Sequence, residues 1–146
     1  MTAFDRFKAQ MSVLVPVVRR LREELGQERA DALVTEALDE ANRAHGRRLA
    51  ERGVDVASLA RGMEAFADGD ALDYEVLEQG GGRFDFNVHR CAYAEYLDRI
   101  GARDLGPMLA CRGDGPTAEG MGVDFARTQT IMQGAPCCDF RYALKK

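Results

Sequence analysis

The chain has 146 residues, 46% of them hydrophobic and 30% charged, and a formal net charge of −4. These values describe one globular domain that can bury a core without disulfides, and they exclude a low-complexity or disordered chain. The acidic balance argues against a nucleic-acid or anionic-membrane surface, and no apolar run approaches the roughly 20 residues that span a bilayer.

The opening Met1–Phe7 stretch lacks the basic-then-apolar layout of a secretion signal. The cytoplasm is the expected location, with the four cysteines reduced. In chain order, Leu14, Val17, Val18, Leu21 and Leu25 recur at helical spacing, and Gly26 suits the stop. Pro16 must then lie in the first turn or mark a kink. A second helix is predicted from about Glu28 to Ala50, with Leu33, Val34, Ala37, Leu38, Ala41 and Leu49 as its apolar stripe. A third follows Asp55, a good N-cap, and places Leu59, Met63 and Phe66 on one stripe.

After Asp68-Gly69-Asp70 the period changes to two. Leu72, Tyr74 and Val76 alternate with acids; beyond Gly80-Gly81-Gly82, Phe84, Phe86 and Val88 alternate with Asp85, Asn87 and His89. That is a hairpin signal. A helix is predicted from Ala92 and a shorter one over Leu105 to Cys111, with Gly113-Asp114-Gly115-Pro116 as a loop. Two closing strands are predicted, from about Asp124 to Met132 and from Cys138 to Leu144. The expected fold class is α+β, a single domain over residues 1–146. N-terminal helices pack on one face of a small, mostly antiparallel four-stranded sheet.

Thiols are the neutral side chains most easily turned into nucleophiles or metal ligands. Cys91 sits where a strand yields to a helix, and a helix N-terminus favours thiolate; a small buried hydrophobe is the plainer reading. Cys111 and Asp114 could set a nucleophile beside an acid or base, or be a core cysteine next to a turn aspartate. Cys138 lies on the apolar face of its strand. His89 shares the polar row with Asp85 and Asn87, where it is either a proton carrier or part of a wet face. Arg127 could grip a carboxylate or pair on a solvated surface, and Asp139 could pair with a cation or cap a turn. The cysteine and histidine spacings match no structural zinc module, and neither a metal nor a cofactor is expected. A homodimer is compatible with a domain of this size.

One set of motifs is more specific. Phe84-x-Phe86-Asn87-Val88-x-x-Cys91, Tyr93-x-Glu95-Tyr96, Gly101-x-x-Asp104-Leu105-Gly106, Cys111-x-x-Asp114, Arg127-Thr128-x-Thr130 and Gly134-x-x-x-Cys138-Asp139-Phe140-Arg141 together resemble the L-2-amino-thiazoline-4-carboxylic acid hydrolase family. The doubled thiol Cys137-Cys138 departs from that pattern. The resemblance implies a small-molecule substrate, a cyclic amidine or thiazoline carboxylate whose ring is opened by water. On residue type, Cys111 or Cys91 could attack, Asp114 could move the proton with His89 in reserve, and Cys138 completes the thiol set. Arg127, Thr130 and Asp139 are the expected substrate-binding residues. The ending is also similar to vinyl-reductase-type ligand-binding domains, which implies binding without turnover.

Overall fold

The computed structural model describes residues 1–146. The first helix, α1 (Ala3–Leu25), starts well before the apolar stripe because Thr2 caps it: its hydroxyl accepts from the Asp5 N–H, and Asp5 answers the Thr2 N–H. Pro16 therefore lies in the helix interior, not in its first turn. Both Pro16 and Ser12, whose carbonyl loses its donor, face solvent, so water can serve that carbonyl. Gly26, at φ 81°, turns the chain into α2 (Gln27–Glu51). Arg22 and Asp31 close the turn with two 2.8 Å hydrogen bonds in fork geometry. Asp55 caps α3 (Val56–Ala67) reciprocally with Ser58. Met63 is buried there, but Phe66 is half exposed and stacks on Tyr93 at 5.2 Å.

The hairpin forms as the alternation predicts. Strands β1 (Leu72–Gly80) and β2 (Arg83–Cys91) meet at Gly81-Gly82, both at positive φ, as the right-handed twist of a two-residue hairpin demands. Then come α4 (Ala92–Arg99), a 3-10 turn at Arg103–Leu105, the single-turn α5 (Gly106–Leu109) and a second 3-10 turn at Cys111–Gly113. The predicted Leu105–Cys111 helix is thus broken into short turns.

Residues 114–116 are not a loop: α6 runs Asp114–Met121. Asp114 and Pro116 occupy its first turn, where an acid faces the positive helix end and proline needs no N–H. Strand β3 (Val123–Ala126) stops six residues short of the predicted end at Met132. The chain continues as irregular structure into a 3-10 turn at Ile131–Gln133, then β4 (Cys138–Leu144).

The sheet is antiparallel throughout, in the order β1-β2-β4-β3. Its inner face carries Phe84, Phe86, Val88 and Cys138 against Met63 of α3. A second cluster, Met11, Ala94, Leu97, Ala102 and Met132, fills the helical half, and Cys91 and Ile131 pack against both. Helices α2 and α6 approach backbone to backbone at Gly46 and Gly120. A Cβ at either position would run into a carbonyl oxygen of the other helix, Thr117 or Arg43.

Candidate functional site

Strand phase places Cys91. The buried row Phe84, Phe86, Val88 has even spacing, so Cys91 should point outward. The register shifts instead: Asp73 pairs with Arg90 and Tyr74 with Val88, leaving His89 as an extra residue in β2. That bulge returns Cys91 to the inner face opposite Leu72. It leaves His89 itself exposed, 3.7 Å from Glu75.

Cys91 also caps α4. Burial pushes its thiol up, and the N–H groups of Ala94 and Tyr93, which pull it down, do not overcome that. Cys138 opens β4 and is buried, accepting a hydrogen bond from the Ile131 N–H at 3.1 Å; its thiol too is raised, chiefly by burial. Cys111 starts the second 3-10 turn. Burial lifts its thiol to about 12, opposed by Arg127 and reinforced by Asp114, Cys138 and Cys91. The thiolate expected at Cys91 from the helix dipole is therefore not favoured at rest, because desolvation outweighs the oriented N–H groups. The three sulfurs belong to adjoining parts of the core: Cys91 packs against both clusters, Cys111 against the helical one, and Cys138 lies in the sheet one. All four cysteines are free.

Beside Cys111 lies an ion pair. Arg127, just past β3, donates Nη1–H to Asp114 Oδ2 at 2.6 Å and Nη2–H to the Cys111 carbonyl at 2.9 Å. Its guanidinium rests 5.1 Å from the Phe140 ring centre and 5.3 Å from that of Phe125. One arginine thus ties the start of α6, the Cys111 turn and the sheet together. Burial raises the Asp114 carboxyl above its ordinary value, and the Arg127 charge and hydrogen bond resist that rise. A carboxyl so placed can exchange a proton nearer neutrality.

Two residues expected to bind substrate are engaged within the protein. The Thr128 hydroxyl donates to Asp139 Oδ2, and the N–H groups of Thr128 and Gln129 donate to Oδ1 at 2.9 Å each. Burial works upward on Asp139, yet these bonds, led by the Thr128 hydroxyl, hold its carboxyl below the usual range. Asp139 caps the turn that follows Arg127. Thr130 is buried and caps the Ile131–Gln133 turn, accepting from the Gln133 N–H at 3.2 Å. His89, for its part, sits with Glu75 in the exposed row.

Sequence reading missed Arg103, which donates to the Ile131 and Met132 carbonyls and bears on the Cys91 thiol. It also missed Tyr142, an inner-face residue of β4 on which the charges of Asp114 and Arg127 both act. No three acidic, histidine or cysteine side chains are placed to hold a metal ion. Two surface hollows lie elsewhere: one of about 500 Å³ along α2 around Asp39 and Arg112, and one of about 540 Å³ between α1, α2 and α5.

Helices packed on a four-stranded antiparallel sheet form a known architecture. The phenol-responsive sensory domain of the transcription activator PoxR, solved with phenol, shares it: 15% identity, a TM-score of 0.50, 92% of this chain and 74% of that one covered. That likeness is one of fold. The L-2-amino-thiazoline-4-carboxylic acid hydrolase family model matches residues 6–142, and the chain belongs to that family. No protein of curated function matches the chain. None of its helices is long and apolar enough to cross a membrane.

Proposed function

We propose that the chain hydrolyses a small cyclic amidine carboxylate of the 2-aminothiazoline-4-carboxylate type, at a site built on Cys111, Asp114 and Arg127 with Cys91 and Cys138 around it. The observation that carries this reading is the Asp114–Arg127 pair, which is tied to the Cys111 backbone inside the family-matched span.

The raised Cys111 thiol sets the order of events. It must lose its proton as it attacks, and Asp114 is the carboxylate beside it that can take that proton. Sulfur adds to the amidine carbon, and the tetrahedral adduct collapses by breaking the ring C–S bond. The departing ring sulfur takes the proton back from Asp114. Water then displaces Cys111 from the isothiourea so formed, giving a ring-opened carbamoyl thiol and restoring the free cysteine. One water is consumed and nothing else leaves. Arg127 offers the cation for the substrate carboxylate.

A second reading is stoichiometric binding without turnover. Burial lifts all three thiols above their ordinary range, the opposite of what activates a nucleophile. One assay separates the two readings. The protein is incubated with 2-aminothiazoline-4-carboxylate, and the carbamoyl thiol product is followed by mass spectrometry, with binding measured by calorimetry. Catalytic turnover by the native protein and its loss in Cys111→Ser support the hydrolase. Saturable binding with no product supports the binding module, and full activity of Cys111→Ser removes Cys111 from the chemistry.

A further inference from the structure

Tyr142 lies in the middle of β4, its Cα paired with Phe84 of β2 on one side and Phe125 of β3 on the other. Its ring belongs to an aromatic wall on the inner face. Phe125 is 4.9 Å away, Phe86 and Phe140 lie nearly parallel at 6.3 and 6.4 Å, and Phe86 and Phe140 stack at 4.7 Å. Phe125 and Phe140 are also the rings that seat the Arg127 guanidinium.

Three facts bear on the hydroxyl. Tyr93 and Tyr96 each donate to a backbone carbonyl, whereas the hydroxyls of Tyr142 and of Tyr74, on β1, have no partner in the protein. Tyr142 is half-buried, and no fully buried side-chain oxygen or nitrogen lacks a hydrogen bond, so this unpaired hydroxyl keeps some contact with solvent. Charge lies close by, since the neighbouring Phe125 ring, 4.9 Å away, also seats the Arg127 guanidinium at 5.3 Å, and that guanidinium pairs with Asp114. The Asp114 side chain is itself about one-third exposed, at 34%. An aromatic wall, a seated guanidinium and a spare neutral donor suit a flat ring bearing a carboxylate.

We propose that Tyr142 is a ligand-contacting residue of this site, donating its hydroxyl hydrogen to the carboxylate of a planar five-membered heterocycle that lies against the aromatic wall. Burial keeps the phenol protonated, so it remains a donor at any ordinary pH. The inference rests on the placement of the proposed site at Arg127 and Asp114, but it requires no turnover.

The test uses two non-amidine probes, thiazole-4-carboxylate and its neutral carboxamide, titrated by calorimetry into the native protein and Tyr142→Phe. A hydrogen bond to a charged acceptor predicts a dissociation constant roughly 10- to 100-fold weaker for the carboxylate in the variant. The carboxamide should bind both proteins alike within about twofold. The melting temperature should hold, because the hydroxyl has no protein partner to lose. Unchanged carboxylate affinity in Tyr142→Phe overturns the inference. So does an equal loss for both probes, which would mark a packing role, or no binding of either probe by the native protein. Hydrolysis of 2-aminothiazoline-4-carboxylate by the same samples is scored separately. Binding with the predicted Tyr142 dependence but without hydrolysis defeats the enzyme reading alone. Hydrolysis with no Tyr142 dependence defeats this inference alone.

Discussion

Replacing Arg127 by methionine keeps the length and apolar body of the side chain and removes its charge. Three interactions go with the guanidinium: the 2.6 Å contact to Asp114, the 2.9 Å hydrogen bond to the Cys111 carbonyl, and its seat on two aromatic rings. An exposed ion pair contributes ~0–1 kcal/mol, and breaking a fully buried one costs ~3–5 kcal/mol. With the arginine side chain 12% exposed and the aspartate 34%, the pair falls between these limits, at about 2 kcal/mol. The carbonyl hydrogen bond adds about 1 kcal/mol, and methionine packing offsets most of the cation–π loss. The total, about 3 kcal/mol, corresponds to a melting temperature lowered by roughly 6–12 °C for a domain of this size.

The sign of its pH dependence follows from Asp114. Its folded carboxyl is already raised, so the folded state holds its proton more tightly than the unfolded chain does. That favourable contribution is present at low pH and lost as pH rises through the folded value. Removing Arg127 takes away the downward pull and moves this loss to higher pH. The variant should therefore be nearest to native stability around pH 5 and furthest from it at pH 8. Asp114→Asn added to Arg127→Met should recover part of the deficit at pH 8 and little at pH 5. Circular-dichroism melts at both pH values provide the measurement. A deficit under about 2 °C at pH 8, or one independent of pH, would refute the ion-pair account.

Two further expectations concern the thiols and the helix crossing. Iodoacetamide should label Cys91, Cys111 and Cys138 slowly at pH 7.5, with rates still climbing above pH 9, because burial holds the thiols protonated; site-resolved mass spectrometry that finds one of them labelled within minutes at pH 7 would reverse that ordering. Gly120→Ala should destabilise the domain by at least about 1–3 kcal/mol, since the added methyl meets the Arg43 carbonyl and not a flexible side chain; an unchanged urea midpoint would mean that α2 and α6 separate freely.

Much of the scaffold was legible because periodicity reports burial. The β1–β2 alternation, the Asp55 cap and the full extent of β4 are each fixed by neighbours a few residues away. The site was less legible, for reasons that can be traced to single residues. Asp-Gly-Pro reads as a turn, yet the same three residues suit the first turn of a helix, and docking on α2 decides between them. The bulge at His89 reverses the phase of Cys91, and nothing in the alternating pattern announces an inserted residue. Asp139 and Thr130 carry the right chemistry for a ligand, but the Asp139 oxygens serve backbone N–H groups that become neighbours only when β4 returns beside β3, and the Thr130 oxygen is taken by the Gln133 N–H of its own turn. Tyr142 is hidden by its own apolar row: alternation places its ring on the face of Cys138 and Phe140 and is silent on where the hydroxyl ends.

The guanidinium of Arg127 has a mechanical consequence. Asp114 belongs to a helix clamped on α2 through two glycines, while Arg127 rides on the sheet and its following turn is gripped by Asp139. The pair is therefore a rivet between two plates, the helix and the sheet, that adds to the short link through Gly122 between them. The proposed site is complete only when both plates have seated, so a change that shifts one plate against the other opens the rivet before it melts either plate.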